Sequence, residues 1–186
     1  MIFTKMHGLG NDFVVVDGFN EHLDDGILSN LARGICDRNF GVGGDGLILV
    51  VPSKTADLYM RMINPDGSEA EMCGNGIRCA AKFAYERGIA KANSVASDCS
   101  LPKPPSSSST ISIVRVETLA GLKTIEMTIL DGKVTAARVD MGAPRLDRSE
   151  IPAAMPGSGP VISEPLALTD RTLAVTCVSM GNPHCV

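Results

Sequence analysis

Apolar and polar positions along the chain follow two spacings, and the switches between them outline its elements. Phe13-Val14-Val15-Val16, closed by Asp17-Gly18, predicts a buried strand running into a turn. Over residues 24–37 the spacing changes to threes and fours: Ile27, Leu28, Leu31, Ala32 and Ile35 would share one face of a helix. Leu47-Ile48-Leu49-Val50-Val51 predicts a second buried strand, stopped by Pro52. Residues 58–64 alternate apolar with polar until Pro65-Asp66-Gly67, a strong turn signal, after which 69–72 predicts a short returning strand. A second helix is expected over 76–86, with Ile77, Ala80, Ala81 and Ala84 as a stripe that core packing explains and Gly88 as its stop. Strands are expected again at 111–117, 122–130, 134–141 and 173–180, with Asp131-Gly132 as a hairpin turn.

Two stretches break the pattern. Residues 92–109 hold Pro102, Pro104, Pro105 and four consecutive serines, and 152–165 is rich in Gly and Pro; both read as surface excursions. The fold class is α+β and strand-rich, with one helix in each sheet-bounded unit that is fully present. Gly181-Asn182-Pro183-His184-Cys185-Val186 is a turn motif following a strand, where a compact domain would continue, so the chain reads as part of something longer.

Composition narrows the function. A net charge of −4 with no basic run gives nucleic-acid binding little electrostatic support, and the absence of Trp removes the best stacking residue. No apolar run approaches the roughly 20 residues needed to span a bilayer. Residues 1–5 lack the charged start and apolar segment of a secretory signal, so a cytoplasmic location is expected. The six cysteines are expected to be reduced thiols, most of them small buried hydrophobes.

One cysteine stands apart. In Glu71-Met72-Cys73-Gly74-Asn75-Gly76-Ile77-Arg78-Cys79, Cys73 immediately precedes the second predicted helix and is followed by glycines that let a ligand approach the main chain. Free N–H groups at a helix start attract anions and favour a thiolate over a thiol. A carboxylate nest beside a reactive sulfur suits removal of a proton α to a carboxylate, with the thiolate as general base. Inverting the stereocentre would need an acid on the opposite face. The bland alternative is a buried structural Cys73, and Cys79, inside the helical stripe, reads as core. A zinc site built from Cys73, Cys79, His184 and Cys185 lacks the paired Cys spacing that would support it.

Five motifs in order resemble the diaminopimelate epimerase family: Lys5-Met6-His7-Gly8-Leu9-Gly10-Asn11-Asp12-Phe13; Gly41-Val42-Gly43-Gly44-Asp45-Gly46-Leu47; Asn64-Pro65-Asp66-Gly67-Ser68 with the Cys73–Cys79 loop; Asp140-Met141-Gly142; and Met180-Gly181-Asn182-Pro183-His184-Cys185. The resemblance implies two similar halves, each wrapping strands around a central helix, here residues 1–115 and an incomplete second half, 116–186. It implies Cys73 as base or acid on one face of the α-carbon. Gly74 and Asn75 would hold the carboxylate or amine end, Asn11, Asn64 and Asn182 would hydrogen-bond the substrate, and His184 would tune the thiols. Taken alone, Asn11 and Asn64 flank turns where Asn is common, and His184 could cap one. The family interconverts LL- and meso-diaminopimelate without pyridoxal phosphate or metal, so no cofactor is expected. The expected partners are a small amino acid and, at full length, a second copy in a homodimer. The family's second Cys-Gly loop does not occur here, so this chain alone is expected to epimerise poorly. A proline- or hydroxyproline-type racemase of the same architecture and a non-catalytic remnant are the competing readings.

Overall fold

A computed structural model of the chain describes residues 1–90, 93–94, 109–181 and 183–186. Most of the Pro- and Ser-rich excursion, Cys99 and Asn182 lie outside the described residues. Two compact units emerge, Met1–Asp140 and Met141–Val186.

In the first unit, strands β1 (Phe3–Gly8) and β2 (Asn11–Asp17) form a hairpin, helix α1 (Asp25–Cys36) follows, and β3 (Gly46–Val51) pairs parallel with β2. Next come β4 (Leu58–Ile63), the short β5 (Glu69–Ala70), helix α2 (Gly74–Glu86), β6 (Asn93–Ser94), β7 (Thr110–Thr118), β8 (Gly121–Leu130) and β9 (Lys133–Val139). Among the described residues the sheet order is β1-β2-β3-β4-β7-β8-β9, with β5 on β4 and β6 on β7. The parallel pairs β2/β3 and β4/β7 are each joined through a helix, as parallel pairing requires.

The helices occupy opposite faces of the central strands. Val14, Val16, Leu47, Leu49 and Ile63 pack with Leu28, Ala32 and Ile35 of α1. By strand alternation, Phe13, Val15, Ile48 and Val50 then face the other way, and a Cβ on Gly76 of α2 would lie 3.0 Å from Ile48 Cδ1. Burial on both faces explains why β2 and β3 are unbroken apolar runs. Each such side chain contributes about 1.5–3 kcal/mol by leaving water. Helix α2 packs against β1 to β4 and β7 to β9, so the sheet wraps around it as a central helix. Its buried residues, among them Ile77, Ala80, Ala81, Phe83 and Ala84, include the expected stripe.

The structure differs from the sequence expectation in places that have local causes. The β1–β2 hairpin turns at Leu9-Gly10 with φ of 56° and 85°, a left-handed pair that an aliphatic Leu signals poorly. Strand β1 has mixed burial and no apolar run to announce it. The single strand expected at 173–180 is two, β11 (Thr172–Val175) and β12 (Cys177–Ser179), in different sheets. The change occurs at Thr176, whose N–H and carbonyl exchange hydrogen bonds with Val186.

In the second unit β10 (Glu164–Ala167) pairs with β11, and β12 with β13 (Pro183–Cys185), around a small core of Ile151, Val161, Val175 and Cys177. The buried Arg148 guanidinium bonds the carbonyl of Gly159 and the carboxylate of Glu164, which orders the Gly/Pro-rich stretch. Among the described residues no helix is long and apolar enough to cross a membrane.

Candidate active site

Helix α2 starts two residues earlier than its apolar stripe predicts, which makes Cys73 its N-cap. Cys73 has extended backbone angles, φ −139° and ψ 109°, and its carbonyl accepts from Ile77 N. Its sulfur accepts the Gly76 N–H at 3.3 Å, the role a Ser or Asp oxygen fills at other helix starts. A Cβ on Gly76 would stand 3.3 Å from that sulfur, so glycine keeps the amide side open. Cys73 is half-buried, while Cys36, Cys79 and Cys177 are buried. Burial pushes the Cys79 thiol up to about 11 and also raises those of Cys36 and Cys177. A thiol held that high is a poor proton acceptor near neutrality.

Three of the sequence-predicted residues gather at this sulfur. The Asn11 Oδ1 lies 4.0 Å from Cys73 Sγ and accepts from Asn75 Nδ2 at 3.3 Å. Gly74 is the first residue of α2, and its carbonyl accepts from Arg78 Nε at 3.2 Å. The hairpin that carries Asn11 sits close against the loop: a Cβ on Gly8 would lie 3.2 Å from the Asn75 carbonyl oxygen. Asn64 behaves otherwise. Its side chain donates to Ser68 Oγ at 3.0 Å and its main chain closes the Asn64-Pro65-Asp66-Gly67-Ser68 turn. His184 belongs to the second unit, exposed on β13 opposite Val178, and Asn182 is outside the described residues.

Sequence reasoning missed the charges behind Asn11. The Asp45 carboxylate accepts from Asn11 Nδ2 at 2.6 Å and from Asp12 N at 2.9 Å, and the Asp45 N–H returns a bond to the Asp12 carbonyl at 2.7 Å. Arg38 bridges Asp12 and Asp45 at 2.7 and 2.8 Å, and Lys5 adds a second cation 2.7 Å from Asp12. On the other side, Arg78 holds the Asn75 Oδ1. Asp45 and Arg78 both stand within recognised motifs; the signal was there, but nothing in the sequence says which neighbour each would reach.

Arg38 first, then Lys5, hold the Asp12 carboxyl far below the usual carboxylate range. With a folded pKa under the unfolded value of about 3.9, Asp12 adds stability that is fully present above that value and is lost as pH falls toward the folded pKa. Thermal melts are therefore expected to drop more steeply from about pH 6 to about pH 3 in the native chain than in Asp12→Asn, in line with this linkage. Equal slopes would contradict the paired carboxylate.

A groove of about 420 Å³ bordered by β1, α2 and β9 reaches Arg78 and Cys79 but not Cys73, so it is not where the sulfur would meet a substrate. Among the described residues no group of three or more His, Cys, Asp or Glu side chains is arranged to hold a metal.

Known proteins share both the fold and the sequence. The chain matches solved structures of a hydroxyproline epimerase from Agrobacterium vitis (TM-score 0.65, 14% identity, 98% of this chain and 50% of that one) and a probable proline racemase from Agrobacterium radiobacter (TM-score 0.65, 16% identity, 98% and 50%). At those identities the likeness is one of fold, and it agrees with the α+β class. In sequence the chain is 52% identical to the diaminopimelate epimerase of Pelotomaculum thermopropionicum and 50% identical to that of Moorella thermoacetica, in each case over 100% of this chain and 59% of the relative. It thus spans about 59% of the length of the curated relatives it matches. The family model described as Diaminopimelate epimerase matches residues 3–100, which include the hairpin, the Asp45 loop and the Cys73 helix start, and this chain belongs to that family.

Proposed function

We propose that this chain supplies one face of a diaminopimelate epimerase site, with Cys73 as the thiol that exchanges the α-proton. The observation that carries this is the sulfur's position: half-buried at the N-cap of α2, with the Gly76 amide donating to it, the Asn11 Oδ1 4.0 Å away and Asn75 bonded to that same oxygen. As thiolate, Cys73 takes the α-proton of the substrate; the electron pair left on carbon delocalises into the adjacent carboxylate, which the first amides of α2 hold. As thiol, the same sulfur returns a proton to that face. No pyridine cofactor or metal is required for this chemistry. Asn11, Asn75 and the Gly74 main chain would grip the substrate, with Asn64, Asn182 and His184 in the supporting roles that the family resemblance gives them.

The acid on the opposite face has no counterpart among the described cysteines. Cys36 closes α1, Cys79 is inside α2, and Cys177 and Cys185 face each other across β12 and β13. We further propose a homodimer at full length, acting in the cytoplasm, with 1–115 and 116–186 as parts of its two halves. The half-identical relatives favour diaminopimelate over proline or hydroxyproline, whose enzymes share the fold alone.

The test is LL-diaminopimelate in deuterium oxide. Deuterium at the α-carbon with inversion marks a working epimerase, and exchange with retention marks a single competent face, the result expected of this chain alone. No exchange at all would overturn the reading in favour of a non-catalytic remnant.

A further inference from the structure

Resting on the assignment of Cys73 as proton carrier, we propose that Asp45 is a positioning residue, which fixes the amide of Asn11 with its oxygen toward the sulfur. An asparagine amide has a donor end and an acceptor end, and its neighbours decide which way round it sits. An ionised carboxylate only accepts hydrogen bonds. Asp45 Oδ2, 2.6 Å from Asn11 Nδ2, can therefore hold only the NH₂ end, leaving Oδ1 to face Asn75 and Cys73. Asn75 is set in the same way by the opposite charge: Arg78 donates to its Oδ1, so its NH₂ is the end presented to Asn11. A polarised chain runs from the Arg78 cation through two amides to the Asp45 anion, and it passes the sulfur midway. Hydrogen bonds in such a chain strengthen one another.

The orientation matters because a reversible proton transfer uses both states of one sulfur. The Gly76 N–H favours the thiolate, and the Asn11 oxygen accepts from the thiol. A reversed Asn11 would present a second N–H to the sulfur and set its NH₂ against that of Asn75. The thiolate would then be over-stabilised and a weaker base toward the α-proton. The other ionisable groups around this point are Asp12, Lys5 and Arg38 behind Asp45, Arg78 on α2, and the buried Cys79.

Asp45→Asn keeps the shape and one acceptor but lets the amide of Asn11 turn over. The readout is the pH–rate profile of Cys73 alkylation by iodoacetamide, followed on its peptide by mass spectrometry, beside deuterium exchange into LL-diaminopimelate. In Asp45→Asn the profile is expected to move to lower pH. Labelling near pH 7 should rise about threefold, a tenfold gain in thiolate set against the lower nucleophilicity of a more acidic thiol. Exchange should fall about tenfold in the same variant, because a reversed Asn11 no longer offers the substrate the group that positions it in the native site. Asn11→Ala should act in the same direction, and adding Asp45→Asn to it should change the labelling no further. Slower labelling in Asp45→Asn, equal labelling of Cys73 and Cys79 from a loosened fold, or additive effects in the double variant would overturn the proposal. The labelling cycle needs no substrate. If the native chain exchanges nothing, the epimerase reading fails, while the cycle still decides whether Asp45 acts through Asn11.

Discussion

Cys73→Ala is expected to abolish α-proton exchange into diaminopimelate, a loss of about a thousandfold, the usual scale for removing a general base. The fold should survive. The sulfur makes two weak bonds, one from Gly76 N and one to Asn11 Oδ1, and losing a cap costs about 1 kcal/mol. Cys73→Ser sharpens the point. Serine is among the better N-caps, so this variant should melt no lower than the native chain, yet its hydroxyl is not ionised near neutrality and exchange should remain absent. Proton NMR of the α-position alongside thermal melts measures both. Full exchange in the serine variant would remove the thiol from the mechanism.

Gly41→Ala should have the largest effect on stability, at a position that bears no chemistry. The loop after α1 doubles back over that helix's last carbonyls: Gly41 N bonds Asp37 O, Gly43 N bonds Ile35 O and Gly44 N bonds Cys36 O, at 3.0 to 3.1 Å. A Cβ on Gly41 would stand 2.2 Å from Gly34 O, 2.7 Å from Ile35 O and 2.9 Å from Asp37 O. These are main-chain oxygens, which cannot swing aside as a side chain can. Overpacking of this kind costs about 3 kcal/mol. The same loop delivers Asp45 to Asn11, so exchange should fall along with stability. Gly34→Ala is the control: its Cβ meets nothing within 4 Å, and on the helix it should stabilise by roughly 0.5–1 kcal/mol. Denaturant midpoints that leave Gly41→Ala level with the native chain would contradict the crowding.

The sequence announces the parts of this molecule that repeat a spacing. Helix α1, β2 and β3 fall where their apolar periods put them, because the two helices bury both faces of those strands. The stripe places the start of α2 two residues late, since Gly74 and Asn75 add no apolar side chain to count and the cap is a cysteine. Strand β1 stayed hidden because its burial is mixed and its turn puts a leucine at positive φ. That Cys73, Asn11 and Asn75 meet is what the family resemblance implies. The Asp45–Asn11 bond is not, because it joins residues 34 apart, and only the parallel pairing of β2 with β3 brings them side by side.

The most direct measurement is competitive alkylation of the cysteines near neutral pH, with and without LL-diaminopimelate. A sulfur poised at the start of α2 should react well ahead of Cys79, whose thiol burial holds at about 11, and substrate should slow the labelling of Cys73 alone. Equal slow labelling of Cys73 and Cys79, unchanged by diaminopimelate, would contradict a catalytic thiol at this helix start.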